Sequence, residues 1–374
     1  MERSGLLGDF LGGGNERDGL DVRQPSRRLG VMPRPTHGEA STDPDPGHAP
    51  PVLSVEGLRT EFRIGGDWRP AVDDVSFRLG WRETLALVGE SGCGKSLTAL
   101  SIMGLVPKPA GRIGAGRILL HGRDLVTMPE SELEAVRGDE VAMIFQEPMT
   151  SLNPVMTIGA QVAEGLRIHK SLTRTEANRQ ALGVLEEVKI PSAARRFHDY
   201  PHQFSGGMRQ RVMIAVALAC EPVLLLADEP TTALDVTIQA QALGLLADLK
   251  DRHGMAMLFI THNLGVVAQI ADWVAVMYAG QIVEQAPVGK IFAHPSHPYT
   301  RALFDAIPRM DRPPQSLVAI PGRVPALDDM PPGCRFAPRC SLARAGCEQP
   351  QILADVESAH QVRCHVATGA RADA

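Results

Sequence analysis

The segment GESGCGKS, from Gly89 to Ser96, constrains this chain more than any other stretch of it. It fits G-x-x-x-x-G-K-[ST] in full. It also stands between a short apolar strand, TLALVG, and a helical stretch, SLTALSIMGLV, which is the context the motif requires. Glycines at these positions let backbone N–H groups turn inward around two phosphates, and the helix N-terminus that follows adds a favourable field for an anion. Gly89, Glu90, Ser91, Gly92, Cys93 and Gly94 make the cradle, Cys93 standing where any side chain is tolerated. Lys95 sets its charge on the β- and γ-phosphate oxygens, and the Ser96 hydroxyl is placed to ligate Mg²⁺. A chance glycine-rich turn would lack the flanking strand and helix.

The rest of the chain is built around that unit. LSVEGLRTEFRI and AVDDVSFRL alternate as strands. VAMIFQE (Val141 to Glu147), VLLLADE and AMLFITH read as buried strands, with a crossover helix over roughly Thr237 to Arg252. Thr157 to Ala219 reads as mostly helical, SLTRTEANRQALGVLEEV being its clearest amphipathic piece, and WVAVMYAGQIVEQA as a hairpin turning at Ala279-Gly280. Strands alternating with helices predict an α/β fold: a parallel sheet flanked by helices, with an N-terminal antiparallel β-subdomain, a helical subdomain over about 147–220 and a small cysteine-containing C-terminal tail. The apolar strand VLLLADE delivers Asp228 to the sheet edge as a Mg²⁺ ligand. Glu229, next along, is placed to polarise an attacking water. No internal repeat is visible, so each chain carries one such unit.

With a net charge of -5 over 374 residues, nothing global points to nucleic acid. The apolar run Val212 to Cys220 is less than half of the ~20 residues a membrane-spanning helix needs. The N-terminus shows no signal-peptide core. Residues 1–50, rich in Gly, Pro, Asp, Arg and Ser, are expected to be a disordered tail, or to precede a true start near Met32, and residues 368–374 a disordered end.

FSGGMRQR, Phe204 to Arg211, resembles the signature motif of ABC ATPases, with Phe204 and Met208 in place of the usual Leu and Gln. Ser-Gly-Gly opening a helix presents free N–H groups and a hydroxyl, a second anion site in one chain. In that family Ser205, Gly206 and Gly207 contact the γ-phosphate held by a partner subunit, so two ATP molecules glue two subunits together. The resemblance runs from about residue 52 to 367. It implies that Gln146 reaches Mg²⁺ and the water, that Asp235 of TALD lies in a loop at the dimer interface, and that His262 contacts the γ-phosphate. It also implies an aromatic residue under the adenine: Phe62 and Trp68 both qualify by position, and Phe62 is preferred.

FQEPMTSLNPVMTIG and HPYTRALFDAIP are similar to segments of dipeptide/oligopeptide importers. The resemblance implies an ATPase domain over 51–290, an importer-type extension over 291–367, a second ATPase subunit, two membrane permeases and an extracytoplasmic binding protein. It places the chain on the cytoplasmic face of the inner membrane. Nickel chelates, glutathione or opines remain alternative cargoes. A soluble ABC ATPase of DNA repair or translation and a P-loop small-molecule kinase are rival readings. Cys334, Cys340, Cys347 and Cys364, spaced C-x5-C-x6-C-x16-C, fit neither a C-x2-C zinc pattern nor a ferredoxin run. By resemblance they are expected to hold a [4Fe–4S] cluster, with zinc, or four unligated thiols, as alternatives.

Overall fold

The strands that carry the site are apolar on both faces, and the fold buries both. In the computed structural model, which describes residues 50–146, 151–231, 235–306 and 320–368, β3 (Thr84–Val88), β7 (Leu224–Asp228) and β8 (Ala256–Thr261) are buried along their whole length. Pleating sends alternate side chains to opposite sides. Leu225, Ala227, Met257 and Phe259 enter one core, while Leu224, Leu226, Leu258 and Ile260 enter the other. The first core includes Ile158, Val162 and Leu166 of α3 (Ile158–His169), Ala177, Ala181 and Leu185 of α4 (Arg174–Glu187) and Val212 of α6 (Gly206–Leu218). The second is shared with α1 (Lys95–Ile102) and the antiparallel strands β1 (Leu53–Ile64) and β2 (Asp67–Leu79).

Among the described residues the main sheet has the order β11-β12-β10-β9-β3-β8-β7-β6. Strands β9, β3, β8, β7 and β6 (Val141–Ile144) are mutually parallel. The second sheet is the expected antiparallel subdomain, with order β2-β1-β4-β5, where β4 is Gly111–Leu120 and β5 is Arg123–Asp124. The predicted hairpin is β9 (Trp273–Tyr278) and β10 (Gln281–Pro287), turning at Ala279 (φ 46) and Gly280 (φ 85). Two consecutive positive φ values give the turn whose twist matches that of its strands.

The helical region predicted over Thr157 to Ala219 is helical with breaks. Its α4 starts at the capping box formed by Thr173 and Glu176. The crossover helix is α7, Val236–His253, closed by Gly254 in a left-handed conformation.

Two expectations need correction. The strand read as Val141 to Glu147 ends at Ile144, where pairing with β7 stops at Ile144↔Ala227, so Gln146 lies beyond the strand. The C-terminal extension is not a free-standing cysteine tail. Its strands β11 (Ala354–Glu357) and β12 (His360–Val362) pair onto β10 and lengthen the main sheet. The expectations for residues 1–49 and 369–374 fall outside the described residues, as do those for Glu147 and for residues 232–234 of the TALD loop.

The hairpin tip meets the site. Gly280 N–H donates to Cys93 O (2.8 Å), and Gly280 O accepts from Asp73 N–H (2.8 Å). A Cβ on Gly280 would lie 2.4 Å from Ala71 O. Gly280→Ala is therefore expected to lower the free energy of unfolding by about 1–3 kcal/mol, combining a steric clash with an unfavourable φ. An unchanged midpoint in chemical denaturation would contradict this packing.

Candidate functional site

The parallel strands β3, β8, β7 and β6 end on one edge of the sheet, and the candidate residues follow those ends. The turn from Gly89 to Gly94 leads from β3 into α1. A Cβ on Gly89 would meet Met277 O at 2.2 Å, so that position is closed to larger residues, while Gly94, whose Cβ would meet the flexible end of Met277 at 2.8 Å, has a φ of 107 that strains any side chain. Ser91 and Gly92 are exposed, whereas the Cys93 side chain is fully buried in the second core. Lys95 is 5% exposed. Its Nζ donates to Gly89 O (2.9 Å) and Glu90 O (3.0 Å). The ammonium thus sits inside the curl of its own loop.

Asp228, at the end of β7, is hydrogen-bonded to Ser96, and burial raises its carboxyl above the ordinary range. Its Oδ1 is buried with no hydrogen-bond partner. An unpartnered buried carboxylate oxygen beside a serine hydroxyl fits the oxygen ligands that Mg²⁺ prefers.

Glu229 has φ 45, and its N–H donates to Ile260 O (2.9 Å). Gln146 Nε2 donates to Glu229 Oε2 (3.2 Å), and His262 Nδ1 lies 3.1 Å from Glu229 Oε1. An ionised carboxylate only accepts, so the contact assigns the ring proton to Nδ1. The structure therefore brings together three of the predicted residues, from beyond β6, β7 and β8. The Glu229 side chain is 9% exposed and that of His262 56% exposed. One face of the trio is open to solvent.

Ser205 caps α6, its Oγ accepting from Met208 N–H (3.4 Å). Ser205 and Gly206 are exposed and Gly207 half-buried, so this helix start faces outward. Phe204, in place of the usual Leu, is buried in the first core and Met208 packs against that core, which accounts for both departures as packing. Asp235 caps α7, its Oδ1 accepting from Ile238 N–H (2.9 Å).

A cavity of about 390 Å³ adjoins the phosphate loop, lined by Ala71, Gly92, Gly94, Lys95, Ser96 and Leu97 and by residues of the C-terminal extension. Phe62 is not among its lining residues. A Cβ built on Gly111 would lie 2.9 Å from the Phe62 ring, so that ring is packed in the antiparallel sheet. Trp68 is engaged by Arg112, 4.1 Å from its ring centre. Both Phe62 and Trp68 are half-buried.

Sequence reasoning missed how the C-terminal extension reaches the phosphate loop. Arg339 binds Glu90 through Nη1 (2.8 Å) and Nη2 (3.1 Å). The Tyr299 hydroxyl accepts from Glu90 N–H (3.0 Å). His297 is buried and its pKa falls to about 3, so its neutral Nδ1 accepts from Tyr299 N–H (3.0 Å). Arg363 pairs with Asp74 (3.0 Å), and Arg335 pairs with Asp73. Apart from the local His297–Tyr299 contact, no spacing rule could have signalled these contacts, because the partners lie hundreds of positions apart in sequence.

The [4Fe–4S] expectation and its zinc alternative are not met by this structure. All six cysteines are free. Cys334 and Cys340 each lie near Cys347 and Cys364, and Cys334 N–H donates to Cys347 O (2.7 Å). Yet among the described residues no group of three or more His, Cys, Asp or Glu side chains is arranged to hold a metal ion. Burial pushes the Cys334 thiol up to about 11 and also raises Cys340. Arginine pairs anchor the segment instead.

Comparison with known proteins agrees with this geometry. Residues 72–232 match the ABC transporter family, and residues 283–347 match the oligopeptide/dipeptide transporter C-terminal region. A Brucella abortus (strain 2308) protein named for peptide import ATP binding is 52% identical over 314 residues, covering 84% of this chain and 94% of that protein. A Brucella ovis protein named in the same way is 52% identical over 326 residues, covering 84% and 96%. A dimeric bacterial ABC transporter cassette, MJ0796, superposes with a TM-score of 0.56 at 25% identity, covering 63% of this chain and 98% of that one.

Burial raises the Cys93 thiol above its ordinary range, with Lys95 opposing the shift. Because the thiolate is the reactive form, Cys93 in the native protein should resist iodoacetamide at pH 8 and react once urea unfolds the chain. Mass spectrometry showing equal labelling rates in the two states would contradict its burial.

Proposed function

The chain belongs to the ABC transporter family of ATP-binding subunits, and from that membership we propose that it hydrolyses ATP as one half of a nucleotide-sandwich dimer and so powers an importer of di- or oligopeptides. The observation that carries this reading is the convergence of Gln146 and His262 on the Glu229 carboxylate, beside a phosphate loop whose lysine is already held inward.

The chemistry follows from those positions. Lys95 exchanges the carbonyls of Gly89 and Glu90 for phosphate oxygens when nucleotide enters. The loop N–H groups take up the remaining negative charge. Ser96 and Asp228 would hold Mg²⁺, which supplies neutralisation of charge on the phosphate oxygens when bound. Glu229 orients the attacking water and draws its proton, while Gln146 and His262 fix the carboxylate through one oxygen each. His262, exposed on its other side, is free to follow the γ-phosphate.

The outward Ser205-Gly206-Gly207 edge closes the partner's nucleotide, and Asp235 lies at the same interface. Among the described residues no helix is long and apolar enough to cross a membrane. The chain works at the cytoplasmic face of the inner membrane, against two permeases fed by an extracytoplasmic binding protein. Those partners choose the cargo.

Glu229→Gln should bind MgATP with near-wild-type affinity but hydrolyse it at least about 100-fold more slowly, the scale of a lost general base. Undiminished phosphate release would remove Glu229 from this role. Ser205→Arg should leave nucleotide binding to its own phosphate loop intact and abolish ATP-dependent association of two subunits. Persistent association, seen by sedimentation, would refute the sandwich.

A further inference from the structure

The cavity beside the phosphate loop has two chemically different walls. On one side stand Gly92, Gly94, Lys95 and Ser96, with a buried ammonium and the N-terminal end of α1. On the other stand Val324, Pro325, Leu327 and Met330. These four are half-buried; Ala326, which also lines the cavity, is exposed, as are Asp328 and Asp329 between them and Arg323 just before them. The segment thus turns its aliphatic side chains to the cavity and its charges to solvent. It is also tethered to the loop it faces. Arg339 Nε donates to Pro321 O (2.8 Å) and Nη2 to Ile320 O (3.3 Å), Nη1 and Nη2 hold the Glu90 carboxylate, and Nη1 also reaches the Tyr278 hydroxyl (3.3 Å). One guanidinium, its side chain only 5% exposed, therefore joins the start of the strap to the phosphate loop.

A nucleotide has the same division. One end is a polyanion and the other a flat ring with apolar faces. Neither Phe62 nor Trp68 lines the cavity. We propose that the strap over residues 324–330 is the wall on which the base of the bound nucleotide rests, opposite Ala71, and that Arg339, as a positioning residue, holds this wall in register with the phosphate loop. This rests on the ATP-binding reading given above. It assigns to the C-terminal extension a share in nucleotide binding within its own chain.

The full-length chain tests it with two probes, MgATP and magnesium-bound inorganic tripolyphosphate, which has the anion but no base. A charge at Leu327 would face an apolar ring, so Leu327→Asp should weaken ATP binding about tenfold or more and leave tripolyphosphate binding unchanged. Arg339→Lys, which keeps the charge but loses the fork, should raise the KM for ATP while kcat stays near wild type. Lys95→Ala should lose both probes. Wild-type ATP affinity in Leu327→Asp would overturn the proposal. So would equal loss of ATP and tripolyphosphate in that variant, since the strap would then act on the loop and not on the base. Failure of the wild-type chain to bind either probe would instead strike the ATP-binding reading itself.

Discussion

The site depends on a lysine held by the backbone of its own loop. Lys95 is buried, and its charge is met by two carbonyl oxygens, Gly89 O and Glu90 O. A buried ammonium without such acceptors would be costly. Held this way, it keeps the loop curled, while Glu90 N–H donates to the Tyr299 hydroxyl and Cys93 N–H to Glu90 O. The glycines are what permit the curl, because at Gly89 the backbone of β9 approaches too closely for any side chain and Gly94 has a φ of 107. The loop is therefore a product of the sheet that surrounds it as much as of its own sequence.

The same logic extends outward in shells. The tip of the β9–β10 hairpin bonds Cys93, Tyr299 bonds the N–H of Glu90, and Arg339 holds the Glu90 carboxylate. Behind these, Glu284 is a fully buried carboxylate that accepts from Ser296 N–H (2.7 Å) and His297 N–H (2.8 Å) and meets His360 Nε2 at 2.7 Å. A buried carboxylate so fully partnered fixes the start of α10 (Pro298–Asp305) against β10 and β12. The C-terminal extension is thus built into the ATPase sheet and carries its order to the phosphate loop.

What the sequence revealed and what it hid divide by range. The phosphate loop, the Asp228-Glu229 pair and the Ala279-Gly280 hairpin were legible because each is a local pattern with a local cause: a glycine where space is absent, an apolar strand ending in acids, a turn with positive φ. The meeting of Gln146, Glu229 and His262 was legible only through resemblance, since strand order decides it. Glu90 and Arg339, 249 positions apart, were not legible at all, because nothing near either residue records the other. The four cysteines are crowded in sequence, yet among the described residues no group of three or more His, Cys, Asp or Glu side chains is arranged to hold a metal ion.

The most direct measurement is an experimental structure of the chain with MgATP. The account predicts that Lys95 Nζ leaves the carbonyls of Gly89 and Glu90 for phosphate oxygens, and that Asp228 Oδ1 gains a partner at the metal. Nucleotide bound away from the phosphate loop, or Lys95 still seated on its own carbonyls with nucleotide in place, would contradict it.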